Sequence, residues 1–324
     1  MCIRDRPIHG LEMVVLVTGA TGLLGPYVVK SLIAYHQKVR CLIHTPGKER
    51  LFNDRSIEIR YGDILDKDSL MEASYGVDTV VHLANHNSFS KDQPQFAGIP
   101  DHNLIGTANL IDIFKNQLNF NHFILVSTLR SSRDPKSGLM YHKWRNEDQV
   151  INSGLPYTIL RSSILFGEFD YFINSIAATV RLSPIIPVWG SGHNRLQPIA
   201  AEDLARCLSL TLNRSDLKKR RLDIGGPEHI SYNQVVQLVS ECMGKNRLLL
   251  HLPTWIIKPL LLTISFISNR PTKSLEKLNL RTDRNVAEQH SVRRYFGFTP
   301  KHLKGNIDYV NAANVKKAFL FWGT

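Results

Sequence analysis

The chain has 324 residues, 43% hydrophobic and 21% charged, with 40 Lys and Arg against 28 Asp and Glu for a net charge of +12. This length suits one large domain, or a domain with a smaller lobe, and the composition excludes a disordered or fibrous protein. The positive excess admits nucleic acid, an anionic membrane or a phosphate-bearing ligand as partner. Its one dense run, KKRR at 218–221, lacks interleaved aromatics, so no nucleic-acid binding is expected.

Residues 1–12 read as a leader of translated adaptor type and are set aside, with Met13 as the first native residue. From there MVVLVTG (13–19) is a continuous apolar run of the kind buried in a parallel sheet, and YVVKSLIAYH (27–36) has helical spacing. KVRCLIH (38–44), IEIRYGD (57–63) and DTVVHLAN (78–85) follow as strands two to four. A long helix over 103–116, a fifth strand HFILVST (122–128), a helix reaching residue 152 and a sixth strand LPYTILRSS (155–163) complete the first half. Strands separated by helices in this way imply βαβ units with right-handed crossovers.

After residue 167 the pattern loosens. A helix is expected over 172–184, then a short strand, a Gly-rich turn and another strand over 185–200. A helix over 202–213 follows, and finally strand, turn and helix over 221–244, with Ser231 as helix N-cap. The fold class is therefore α/β: a doubly wound parallel sheet over 13–167, with a smaller C-terminal α+β lobe over 168–324. The stretch PTWIIKPLLLTISFISN (253–269) is the most apolar, but Lys258 and Pro259 break it, and it is short of the ~20 residues needed to span a bilayer. With Lys258, Arg270 and Lys273 on or beside it, a packed or surface-lying segment is expected. Four cysteines without C-x-x-C spacing indicate neither a zinc site nor a disulfide framework. A cytoplasmic location, peripheral to a membrane, fits these features.

The first strand runs directly into TGATGLLG, with Gly19, Gly22 and Gly25 spaced G-x-x-G-x-x-G between strand and helix. The first glycine permits a tight turn, the second lets the backbone approach a diphosphate, and the third lets the helix pack close to the strand. Backbone amides at the helix start then face the phosphates. Thr18, Gly19, Ala20, Thr21, Gly22, Leu23 and Gly25 are accordingly the candidate dinucleotide cradle. An NAD-binding fold of this kind places a carboxylate about 20 residues further on, against the ribose hydroxyls. Here that place holds His44, with Arg40, Lys48 and Arg50 nearby, so NADP(H) is favoured over NAD(H).

TGATGLLG, YGDILD, HLAN and YTILRSSILFG together resemble the short-chain dehydrogenase/reductase superfamily in its extended and atypical branches. The resemblance implies a Rossmann fold, with Asp63 accepting from the adenine amino group, Ile64 packing beside the ring, and Leu83 and Ala84 along the cofactor. It places Arg161 between the lobes, and Gln197, Pro198 and Asp203 of RLQPIAAEDLA on a substrate-side wall, although Asp203 also reads as a helix cap.

The superfamily's usual catalytic pair is a Tyr four residues before a Lys, on one helix face, with a Ser or Thr at the end of the fifth strand. Lys143 fits the lysine, and Ser127, Thr128 and Ser131 supply hydroxyls, but Leu139 stands where the tyrosine would be. Tyr141, two before Lys143, lies about 200° around a regular helix from it. Only a helix beginning at Tyr141 would let it act; His142 and His82 are spare candidates.

The glycine motif, R-x-Q-P and DIGGPEHISYNQVVQLV are similar to the branch typified by the nucleotide-binding accessory subunit of respiratory complex I, with NmrA-like redox sensors as kin. That branch commonly lacks the tyrosine. It implies a cofactor holder, a redox sensor or a reductase, sometimes quinone-linked and with a respiratory or membrane-associated protein partner. A nucleotide-sugar epimerase is the alternative.

Overall fold

The computed structural model describes residues 13–52, 54–84, 102–137, 139–253 and 286–312. Residues 1–12 and the apolar segment from residue 254 onward therefore lie outside the described residues.

In chain order the elements of the sheet domain are β1 (Val14–Thr18), α1 (Gly25–Ala34), β2 (Lys38–Ile43), β3 (Glu58–Tyr61) and α2 (Lys67–Ser74). They continue with β4 (Thr79–His82), α3 (His102–Lys115), β5 (His122–Thr128), α4 (Leu139–Ile151) and β6 (Tyr157–Ser162). There follow β7 (Leu165–Phe166), α5 (Phe172–Leu182), β8 (Ile185–Trp189), β9 (Arg195–Leu196), β10 (Ile199–Ala200) and α6 (Ala201–Thr211). The chain then runs through β11 (Arg220–Ile224), β12 (Ile230–Ser231), α7 (Tyr232–Cys242), β13 (Leu248–Leu252) and a short helix α8 (Ser291–Phe296).

Seven strands form one sheet in the order β11-β6-β5-β4-β1-β2-β3, and all its pairings are parallel. Strand order reverses beside β1, so β1 and β4 diverge into crossovers on opposite faces and leave a crevice at their carboxyl ends. The apolar run of β1 serves both faces. Val15 and Val17 pack with α1 and α6 residues such as Val28, Leu32, Leu204 and Leu208. Leu16 packs oppositely, with Leu70, Leu110, Phe114 and Val150 of α2, α3 and α4. This two-sided burial is why the strand shows no alternation in sequence.

The expected six strands are all present in the sheet, and a seventh comes from Arg220–Ile224, in register with β6 from Arg220↔Thr158 to Ile224↔Ser162. The remaining C-terminal elements surround a separate apolar cluster that includes Ile173, Ile176, Val188, Val235 and Leu303. Ser231 caps α7 as expected, in a reciprocal capping box with Gln234.

Gln197 and Asp203 are buried and held by contacts among the described residues rather than lining the crevice beside β1 and β4. Gln197 is fully buried; its Nε2 donates to the Gly226 carbonyl (2.8 Å), while its Oε1 accepts from the Ala287 amide (2.6 Å). A Cβ on Gly225 would lie 2.3 Å from Gln197, and one on Gly226 would lie 1.8 Å from the Pro198 carbonyl oxygen. The G-G pair thus exists to admit the Q-P segment. Asp203 is buried at the start of α6 and accepts from the Lys301 amide (2.6 Å), anchoring the late chain to that helix.

Candidate functional site

At the switch point the structure opens a cleft of about 770 Å³. It is lined by Gly19, Thr21, Gly22, Leu23 and Gly25 of the glycine turn, and by His44, Asp63, Ile64, Leu83 and Ala84. Ser127, Thr128 and Lys143 complete the predicted residues that meet there. The local backbone requires glycine at two of these positions. Gly19 has φ +72°, and a Cβ on it would lie 2.5 Å from the Ala84 amide nitrogen. A Cβ on Gly25 would lie 1.9 Å from the Ala20 carbonyl oxygen, so α1 starts hard against the turn. Gly22 meets only the Gly19 carbonyl, at 3.2 Å, and keeps its remaining side open. Backbone held this way leaves amides at the start of α1 for a diphosphate.

Thr18, Ala20 and Tyr141 are the predicted site residues that the structure does not bring to the lining. Ala20 is buried beneath Gly25. Thr18 is buried and bonds His82, whose ring links three elements. Thr107 Oγ1 donates to the Asn103 carbonyl (2.8 Å), so it must accept from His82 Nε2–H (3.1 Å), and His82 Nδ1 must accept from Thr18 Oγ1 (2.7 Å). This fixes the neutral tautomer. His82 is therefore a fully used brace between β1, β4 and α3, not a spare acid.

Burial, helped by the nearby Lys143 charge, pushes the His82 pKa down to about 3. His122, buried at the start of β5 and bonded to Thr158, is pushed down to about 4 by burial and the Lys218 charge. Asp170, buried at the start of α5, is raised to about 6 by burial. For both histidines the folded form holds fewer protons than the unfolded chain, so their contribution is full above the unfolded value and is lost as pH falls toward the folded one. Asp170 acts oppositely and regains stability as it protonates. Between about pH 7 and pH 5 each histidine costs ~2 kcal/mol and Asp170 returns ~1. In urea unfolding at the two pH values these three groups contribute a net loss on the order of 3 kcal/mol, which the raised carboxyls of Asp203 and Asp223 reduce, and His122→Asn should lessen the slope.

Around His44 and Asp63 the cation set differs from expectation. Arg40 turns away from the cleft; its Nε donates to Glu58 (2.8 Å) and its Nη1 to the carbonyls of Ala73 and Tyr75 (2.8 and 2.6 Å). His44, Thr45 and Lys48 line the cleft instead. Asp63 Oδ1 accepts from the Leu65 amide (2.9 Å), and its Oδ2 lies 3.3 Å from His44 Nε2. Ile64 leans on α3, where a Cβ on Gly106 would come within 2.5 Å of it. Glu49 accepts from the Gly47 amide (2.6 Å) and so braces the turn that carries Lys48.

At the other end α4 begins at Leu139, so Tyr141 lies within the helix. Its ring stacks on Trp144 at 5.7 Å, and the Arg133 guanidinium covers that indole at 5.6 Å. Ser127 donates to Glu147 Oε1 (2.6 Å). Arg161 grips the same fully buried carboxylate, Nη2 to Oε2 at 2.5 Å and Nε at 2.9 Å. Arg161 therefore ties β6 to α4 rather than bridging lobes. Thr128, partly exposed beside Lys143, is the hydroxyl left to face a ligand. Thr45 and His102 also line the cleft and were not anticipated. His102 reaches it from the start of α3, and nothing in local spacing marks it.

Comparison with known proteins agrees with this geometry. The profile of the NAD dependent epimerase/dehydratase family matches residues 15–225. Photosystem II assembly factor Ycf39 of Cyanophora paradoxa is 26% identical over 245 residues, covering 74% of this chain and 72% of that protein. The mitochondrial NADH dehydrogenase [ubiquinone] 1 alpha subcomplex subunit 9 of Dictyostelium discoideum is 25% identical over 310 residues, covering 92% of this chain and 76% of that protein. Among solved structures, UDP-glucose 4-epimerase of Thermotoga maritima superposes with a TM-score of 0.70 at 19% identity, covering 94% of this chain and 99% of that one. The UDP-glucose 4-epimerase of Thermus thermophilus in complex with NAD gives 0.68 at 20% identity, covering 93% and 98%. With its glycine cradle at the switch point of a seven-stranded parallel sheet and a family match across most of its length, the chain belongs to the NAD dependent epimerase/dehydratase family.

Proposed function

We propose that the protein holds NADP(H) in the switch-point cleft as a cofactor-holding or redox-sensing subunit, working at a membrane surface or beside a membrane-associated respiratory assembly. The observation that carries this reading is the missing phenol. Leu139 occupies the position four before Lys143, and Tyr141 is stacked on Trp144 away from the cleft lining. A bound dinucleotide supplies hydride transfer at its nicotinamide ring, which in a carbonyl reduction must be matched by a proton from the protein. Lys143 and Thr128 offer charge and a hydrogen bond there, but neither replaces an aligned phenolic acid. Their presence in the cleft favours, as second reading, a reductase of a small, quinone-like carbonyl compound or a nucleotide-sugar epimerase.

The NADP(H) preference rests on the adenosine end. Lys48 lines this end of the cleft beside His44 and Thr45, and the Asp63 carboxylate is engaged by the Leu65 amide and His44. NADPH is expected to bind about tenfold tighter than NADH, ~1.4 kcal/mol, with Lys48→Ala and His44→Ala each narrowing the gap. Fluorescence titration of the two reduced cofactors measures this, and tighter NADH binding refutes it. Incubating the NADPH-loaded protein with quinones, enones and carbonyls separates the two readings. A holder shows no steady loss of absorbance; a reductase shows turnover that Tyr141→Phe leaves unchanged and Lys143→Met removes.

A further inference from the structure

Strands β8 and β13 form a parallel pair apart from the main sheet, in register from Leu248↔Ile185 to Leu252↔Trp189. Because side chains alternate across a strand, the pair has two faces. One carries Ile186, Val188 and Leu249, which pack into the apolar cluster of the C-terminal lobe. The other carries Ile185, Pro187, Trp189, Leu248, Leu250 and Leu252, with no polar side chain among them. Leu248 is 66% exposed, Leu250 46% and Ile185 42%, with Leu182 at the adjoining end of α5 at 54%. A solvated face of a two-stranded ribbon ordinarily alternates to polar residues; this one does not.

We propose that this face docks onto an anionic lipid bilayer, a proposal that rests on the membrane-surface reading above and names the surface responsible. Charge selects the occupant. The chain carries a net +12. Lys245 and Arg247 stand at the entry to β13, where the Arg247 guanidinium donates to the Val180 carbonyl (2.7 Å) rather than to a carboxylate. Neither strand of the ribbon carries an acidic residue. An apolar face on a chain of net charge +12, with Lys245 and Arg247 just before β13, matches the headgroup–acyl boundary of an acidic leaflet, where hydrocarbon burial and attraction to anionic headgroups act together. A second copy of this chain would bring like charges together.

Flotation of the full chain with vesicles tests this. Binding is expected to phosphatidylcholine vesicles containing about one-third phosphatidylglycerol, and at least ~5-fold less to phosphatidylcholine alone. Leu248→Asp/Leu250→Asp should lower binding at least ~10-fold while leaving NADPH affinity unchanged. If that variant loses NADPH affinity and so fails to fold, Leu248→Gln/Leu250→Gln serves, with a smaller loss expected. Wild-type protein that floats with neither vesicle overturns both the proposal and the membrane-surface reading. Binding that the substitutions leave intact overturns the assignment of this face alone. A wild-type dimer that the aspartate pair converts to monomer, without vesicle binding, assigns the face to a second copy instead.

Discussion

Gly25→Ala is expected to reduce dinucleotide affinity at least a hundredfold and to destabilise the fold by ~3 kcal/mol, the upper range for forced overpacking. The added methyl would sit 1.9 Å from the Ala20 oxygen and 2.3 Å from its carbonyl carbon, atoms of the turn itself that no rotamer change can move. Relief requires α1 to back away from β1, and α1 carries Val28, Val29 and Leu32 into the core beside Val15 and Val17. The same movement withdraws the amides that face the cleft, so stability and binding fall together. Gly154→Ala separates this from glycine loss in general. Its φ is +82°, but no atom lies within 4 Å of the added Cβ. That substitution should cost only ~1 kcal/mol of backbone strain and leave binding intact. Thermal unfolding and NADPH titration of both variants check the contrast; wild-type affinity in Gly25→Ala would show that the turn is not the cradle.

Much of this site was legible in the chain because its signals are local. A glycine turn, the strand entering it and the helix leaving it occupy a single continuous stretch, and positive φ at Gly19 and close approach at Gly25 are demands that only glycine meets. The Ser231 cap was equally local. What escaped depends on faces and partners, which spacing does not encode. Arg40 lies only four residues before His44, yet it points to Glu58 and α2 while His44 reaches the cleft. Gln197 sits in a segment that reads as a binding wall, but it is spent on Gly226 and Ala287, the latter 90 residues away. Arg220–Ile224 was readable as a strand, but not as the seventh strand of the first half's sheet, since apolar content names no neighbour. His82 was readable as a histidine near a strand end. Only its contacts to Thr18 and Thr107, 64 residues before and 25 after, make it a brace.

The Lys143–Glu147 run shows how one helix face carries both the cleft and its foundation. Glu147 is one turn beyond Lys143, has no exposed surface, and takes hydrogen bonds from Ser127 and Arg161, with Arg221 at 3.9 Å. Asp223 pairs in register with Arg161 on the neighbouring strand, and burial raises its carboxyl above the ordinary value. Glu147→Ala would leave the mostly buried Arg161 charge without its principal partner and the Ser127 hydroxyl without an acceptor. The expected cost is ~3–5 kcal/mol, the range for breaking a buried pair from one side. Removing both charges as Glu147→Met/Arg161→Met should recover most of that cost, because the desolvation of both groups disappears with their attraction, while Ser127 still lacks its acceptor and Asp223 the Arg161 charge. NADPH affinity should follow the same order, since Glu147 pins α4 to β5 and β6 and thereby aims Lys143 at the cleft. The single variant should bind about tenfold more weakly, ~1.4 kcal/mol, and the double variant close to normally. Denaturant unfolding and cofactor titration of the three proteins decide the point. If Glu147→Ala costs no more than the double variant, the carboxylate is not what holds Arg161 and Ser127 in place, and Lys143 is positioned by packing alone.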